Sequence, residues 1–170
     1  MKHHELARIG FVYELTCITR DGQVKWRERV GNLIPNAGRD YLLSAGLLAG
    51  AQLSNWYIGL YENAHTPVVA DTMATLMADC GEITSYTNVG GNRLTLTPDA
   101  LNNGVFSNAG TPADFVFTAD RTVRGGFISS SAPHLGVAGM LLSAVLLGSP
   151  KAISTGETLQ VTAGLSLTTV

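Results

Sequence analysis

The chain opens with strict alternation. Ile9, Phe11, Tyr13, Leu15 and Cys17 alternate with Gly10, Val12, Glu14 and Thr16, the period of two expected of a strand with one buried face. Arg20-Asp21-Gly22 follows, and Asp-Gly suits the positive φ values of a hairpin loop. On the return, Val24, Trp26 and Val30 fall on one face, with Gln23, Lys25, Arg27 and Arg29 on the other. This pattern predicts a long N-terminal hairpin within residues 1–34, with Cys17 pointing inward and a charged outer face.

The period changes after Asn32. Tyr41, Leu42, Ala45 and Leu48 recur at helical intervals, which predicts one short α-helix over about 36–48. Asn36 is placed to cap its first turn, and Gly46 and Gly50 to stop or fray it. Trp56-Tyr57-Ile58-Gly59-Leu60-Tyr61 is apolar on both faces and reads as a central strand. Residues 63–79 form a long connection containing Pro67, in which Asp71 can cap a helical turn through Thr72, Met73 and Leu76.

Further strands are predicted at residues 82–88, 93–97, 105–107, 114–118, 122–129, 139–147 and 158–168. Periodicity leaves residues 136–148 open between strand and helix; flanking glycines and neighbouring strands favour strand. Strands at this spacing, with turn residues between them, predict a mainly β, antiparallel sandwich of jelly-roll-like type. The lack of helices between successive strands argues against a parallel βαβ sheet. With 170 residues and no repeat or linker, a single domain over 1–170 is expected.

Composition sharpens the picture. Only 14% of residues are charged, against about 25% in an average soluble domain, and mean hydropathy is +0.18. Such a chain either covers its surface with partners or spans a bilayer. Its longest nearly apolar run, residues 136–148, is short of the roughly 20 residues a spanning helix needs. Glu5, Arg8 and Glu14 interrupt the N-terminus, where a signal peptide would need an apolar core. Eleven basic and 13 acidic residues give a net charge of −2, without the basic face of a nucleic-acid binder. No membrane or nucleic-acid partner is therefore expected, and burial against protein is.

Candidate chemistry is thin. Cys17 and Cys80 lack metal-ligand spacing and read as reduced, packed thiols. His3 and His4 adjoin the first residue, while His65 and His134 lie in turns and read as surface residues. Ser129-Ser130-Ser131 precedes His134, but the glycine frame that presents a serine nucleophile is missing. Gly90-Gly91 and Gly125-Gly126 lack the Lys-Ser/Thr of a phosphate loop and read as turns or close backbone approaches. The carboxylates Asp71, Asp79, Asp114 and Asp120 read as caps and turn residues. The expectation is no catalytic residue, no cofactor and no metal.

Several segments together are distinctive. Asn32-Leu33-Ile34-Pro35-Asn36-Ala37-Gly38-Arg39-Asp40-Tyr41-Leu42-Leu43 is followed by Trp56-Tyr57-Ile58-Gly59-Leu60-Tyr61 and Asp71-Thr72-Met73. Glu82-Ile83-Thr84-Ser85-Tyr86, Gly125-Gly126-Phe127-Ile128, Gly139-Met140-Leu141-Leu142 and Gly156-Glu157-Thr158-Leu159 complete the series. In this order, over roughly residues 30–170, the chain resembles a family of small virion proteins of tailed double-stranded DNA bacteriophages.

The resemblance implies a non-enzymatic structural protein of the particle. Its first expectation is a capsid cement (decoration) protein, a homo-dimer or trimer stabilising the major capsid protein shell of the virion, assembled in the host cytoplasm. A tail or baseplate connector and a carbohydrate-binding host-attachment module are the alternatives. Residues 9–30 or 63–79 are the expected contact segments. Arg8, Arg20, Arg27, Arg29 and Arg39 are the expected polar contacts, because arginine pairs bidentately and is enriched at interfaces. Trp26, Trp56 and Tyr57 are expected in the core.

Overall fold

A computed structural model describes residues 10–102 and 104–166. The hairpin is present as β1 (Phe11–Ile18) and β2 (Val24–Gly31), followed by α1 (Asn36–Leu47) and β3 (Trp56–Tyr61). Then come α2 (Met73–Asp79), β4 (Glu82–Ile83), β5 (Leu94–Leu96), β6 (Val105–Ser107) and β7 (Ala113–Val116). The long strands β8 (Arg121–Ser129), β9 (Leu141–Ile153) and β10 (Thr158–Ser166) complete the fold.

The strands form two antiparallel five-stranded sheets, as a β-sandwich requires. One has the order β2-β1-β10, with β6 and β7 end to end along the far edge of β10. The other has the order β9-β8-β3, with β5 and β4 end to end along β3. Each sheet thus replaces one long edge with two short strands, which blunts a template for unwanted strand pairing.

The sheets are also laced together along both sides. The Thr87 amide donates to the Val116 carbonyl at 2.8 Å, and Thr118 to Ser85 at 3.0 Å. On the opposite side Leu33 and Ala144 exchange two backbone bonds of 3.0 Å. The first lacing explains why β4 ends at Ile83 instead of running to residue 88: Tyr86 pairs with Phe117 of the other sheet.

The core follows from alternation. Phe11, Tyr13, Leu15 and Cys17 of β1 face Leu159, Val161 and Ala163 of β10, and Ile58, Leu60, Ile128 and Val145 close over them. Where the Tyr13 hydroxyl crosses to the other sheet it bonds to Ser143, so both buried oxygens are satisfied. Cys17 and Cys80 are free and fully buried. Burial pushes their thiols up to about 11 and about 12 respectively.

A second apolar cluster covers the outer face of the β9-β8-β3 sheet. Met73, Leu76 and Cys80 pack on Tyr61, Phe127 and Leu141. This second helix, α2, goes beyond the single helix expected, and it is why β3 needs two apolar faces. The register places Gly59 opposite Phe127 and Gly125 opposite Tyr61. A β-carbon on Gly59 would meet the Phe127 ring, and one on Gly125 the Tyr61 ring. Each aromatic side chain lies across the glycine facing it.

Two capping expectations are corrected. The N-cap of α1 is Pro35, without a side-chain bond, and the Asn36 amide oxygen instead accepts from Arg39. Thr72, not Asp71, caps α2: its hydroxyl accepts from the Thr75 amide while the Thr75 hydroxyl accepts from the Thr72 amide. Asp71 is nearly buried and accepts from the Val68 amide at 2.9 Å, with His65 Nε2 also at 2.9 Å. His65 is therefore a largely buried clasp of its loop rather than a surface residue.

Candidate interaction surfaces

The two ends of the sandwich differ in chemistry. At the end where β3 and β9 begin, α1 lies against β9 so closely that a β-carbon on Gly38 would stand 2.6 Å from the Leu142 carbonyl oxygen. Yet Gly38 is the only fully buried residue of α1. Beside the helix runs an apolar groove of about 440 Å³, walled by Tyr41, Leu42, Leu53, Trp56, Phe106 and Leu165. Leu47, Leu48 and Leu101 are 77%, 76% and 77% exposed, and Leu43 is about half exposed.

Apolar side chains so exposed and gathered at one end lose unfavourable water contact when something covers them. The signal was present in the chain. No Asp, Glu, Lys or Arg occurs between Asp40 and Glu62, an uncharged stretch that passes from helix through loop into strand and so escapes a search by periodicity. Trp56 is half-buried, edge-on to Tyr41 with ring centroids 5.3 Å apart, and Trp26 packs partly on the core.

Of the five expected contact arginines, the four that are described do not share one surface. Arg8 lies outside the described residues. Arg20, at the hairpin turn, donates through Nε to the Thr155 carbonyl at 2.6 Å. Arg27 and Arg29 are exposed on β2, where Arg29 stands 3.3 Å from Glu14, both well solvated. Such an exposed pair contributes little to stability. Arg39 lies on α1 near the apolar end, bonded to Asn36.

Lys25 departs from the expected outer row. An extra residue in β2 between the Cys17–Trp26 and Ile18–Val24 pairs turns it toward Glu157, and Nζ lies 2.8 Å from Oε2. Burial pulls the Glu157 carboxyl up, but the Lys25 bond and the Ser154 amide outweigh it, leaving Glu157 below its usual range. The bond to Glu157 holds Lys25 above its usual value.

A depressed carboxyl stabilises the fold fully above its ordinary value of 4.5, and that stabilisation fades as pH falls through the folded value. A raised lysine acts fully below 10.5 and is lost as pH rises past its folded value. Glu157→Gln should therefore lower stability by about 1 kcal/mol at pH 7, discounted because Lys25 is partly solvated. The difference from wild type should shrink as pH drops well below 4.5. Urea unfolding at pH 7 and pH 3 measures both.

The serine and histidine candidates occupy separate positions. Ser130 Oγ accepts from the Met140 amide at 2.8 Å, whereas His134 Nε2 bonds the Tyr86 hydroxyl at 2.9 Å. Burial holds the His134 imidazole below its ordinary value. Gly90 and Gly91 form a turn with φ of 66° and 70°. Among the described residues no helix is long and apolar enough to cross a membrane. No protein-family model and no curated protein matches the chain.

Proposed function

We propose that this chain is a non-enzymatic structural component of a bacteriophage virion, a cement protein that binds the major capsid protein as a homo-oligomer. The observation that supports this reading is the apolar end of the sandwich, where α1 and its C-cap leave Leu43, Leu47 and Leu48 in solvent beside an apolar groove. Interface centres are depleted in charge and rich in apolar groups, and the stretch between Asp40 and Glu62 brings no charge to such a contact. Many copies, each held to a neighbour and to the shell, resist separation more than one contact does, because the first raises the effective concentration for the next.

The oligomer is tested at Leu47 and Leu101. Light scattering behind gel filtration should give a multimer for the wild type and a monomer for Leu47→Glu/Leu101→Glu. Both side chains are already exposed, so unfolding stability should stay within about 0.5 kcal/mol per site. A monomeric wild type at high concentration ends the oligomer claim.

Particles assembled without the protein should rupture at lower temperature or milder osmotic shock. A copy number that scales with the capsomers indicates the shell, and a handful per particle indicates the tail. Unchanged resistance counts against cementing.

A further inference from the structure

At the opposite end of the sandwich, where β3 and β9 finish and β8 begins, lies a polar cleft of about 530 Å³. Glu62, Asn63, Arg121, Thr122, Arg124 and Ser154 are among its walls, with Ala152 and Ile153 beside them. The ladder between β8 and β9 breaks here: Val123 pairs with Lys151 and Gly125 with Leu146, so Arg124 stands opposite a bulge of residues 147–150. Bulges re-aim side chains and recur beside binding sites.

The neighbouring charges are already engaged. Asp120 accepts from the Thr155 amide at 2.7 Å and from its hydroxyl at 3.0 Å. Arg121 Nε donates to Ser85 at 2.6 Å, and its Nη1 stands 4.0 Å from Glu62. Arg124 is half-buried yet has no ion pair or side-chain hydrogen bond among the described residues. Its guanidinium stays open to solvent at the cleft, with its N–H groups unclaimed by the described residues, and its planar fork fits a carboxylate at two points.

We propose that this cleft receives a single carboxylate, an aspartate or glutamate side chain of a protein partner, with Arg124 as its anchor. A polyanion fits poorly, because the Glu62 and Asp120 carboxylates share the cleft. The identity of the partner rests on the shell reading above; the site itself does not. A subunit with an apolar end for its own copies and a charged socket at the other end is built to tie two neighbours together.

The test titrates the intact chain with acetyl-Gly-Glu-Gly-amide, acetyl-Gly-Gln-Gly-amide and sodium sulfate at constant ionic strength, following the Arg124 Nε–H resonance by ¹⁵N NMR. The glutamate peptide should give a saturable shift and the glutamine peptide none. Arg124→Lys, which keeps the charge and loses the fork, should weaken binding of the glutamate peptide about tenfold, followed through the backbone amides of β8. Equal shifts from both peptides, a glutamate titration that never saturates, or sulfate saturating the site well below the peptide overturns the proposal. The wild-type titrations decide even if the variant folds poorly. Selective binding in a chain absent from virions keeps the socket and drops the shell partner; an empty titration with a chain present in particles drops the socket alone.

Discussion

Arg93→Met should destabilise the protein by about 3–5 kcal/mol, the range for breaking a buried ion pair by removing one partner. Arg93 and Glu82 have fully buried side chains and meet at two points, Nε to Oε1 at 2.7 Å and Nη2 to Oε2 at 2.9 Å. The same guanidinium donates to the Ser131 carbonyl at 2.8 Å and lies 5.0 Å from the centre of the Phe127 ring. Glu82 in turn accepts from the Leu135 amide at 2.6 Å. One side chain thus ties β4, β8 and the loop after β8.

Methionine fills much of the volume but leaves Glu82 buried without its cation. In a chain of this size the change should lower Tm by about 10 °C or more. Adding Glu82→Leu removes the stranded charge and should restore part of the loss. The Leu135 amide then lacks its acceptor and the Ser131 carbonyl keeps only the Ser129 hydroxyl at 3.3 Å, so recovery stays incomplete. Thermal and urea unfolding of the two single variants and the double variant give the coupling directly. Additive losses would show that the pair does not act as a unit.

Gly125→Ala should cost about 3 kcal/mol or more, at the upper end of overpacking effects. A β-carbon there would land on the Tyr61 ring and on the Val145 carbonyl, which are themselves joined by a 2.6 Å hydrogen bond. Backbone cannot swing aside as a flexible side chain can. The adjacent glycine is the control. At Gly126 the nearest atoms to a β-carbon are the Gly59 carbonyl oxygen at 3.2 Å and Leu60 Cδ2 at 3.6 Å, so Gly126→Ala should lose no more than about 1 kcal/mol. If both variants melt alike, the close approach of Tyr61 to Gly125 is not what holds the second sheet.

Much of the fold was legible in local pattern. Alternation located β1 and β2, the helical period set α1, and the spacing of turn residues located β10 and gave β6 its observed bounds. The misses arise where a distant partner decides. Asp71 looks like a cap, but His65 and the Val68 amide claim its carboxylate. The strand predicted at residues 139–147 stops before Gly148-Ser149-Pro150. β9 nevertheless runs on to Ile153, because the break in register opposite Arg124 leaves the proline outside the ladder. The candidate surfaces were less visible still. Arg27 and Arg29 are exposed as expected, but the apolar end is assembled from α1, β6 and the tip of β10, and no single window contains it.

The pairing of β1 with β10 fixes when this molecule can be finished. Phe11 sits opposite Leu165 and Ile18 opposite Thr158, so the first sheet stays open until residue 166 has left the ribosome. Through most of translation the nascent hairpin carries Phe11, Tyr13 and Leu15 without their cover. Sheets closed by such distant partners form slowly and are prone to aggregate meanwhile. Overproduction at lower temperature, where synthesis and crowding of nascent chains slacken, should raise the soluble yield.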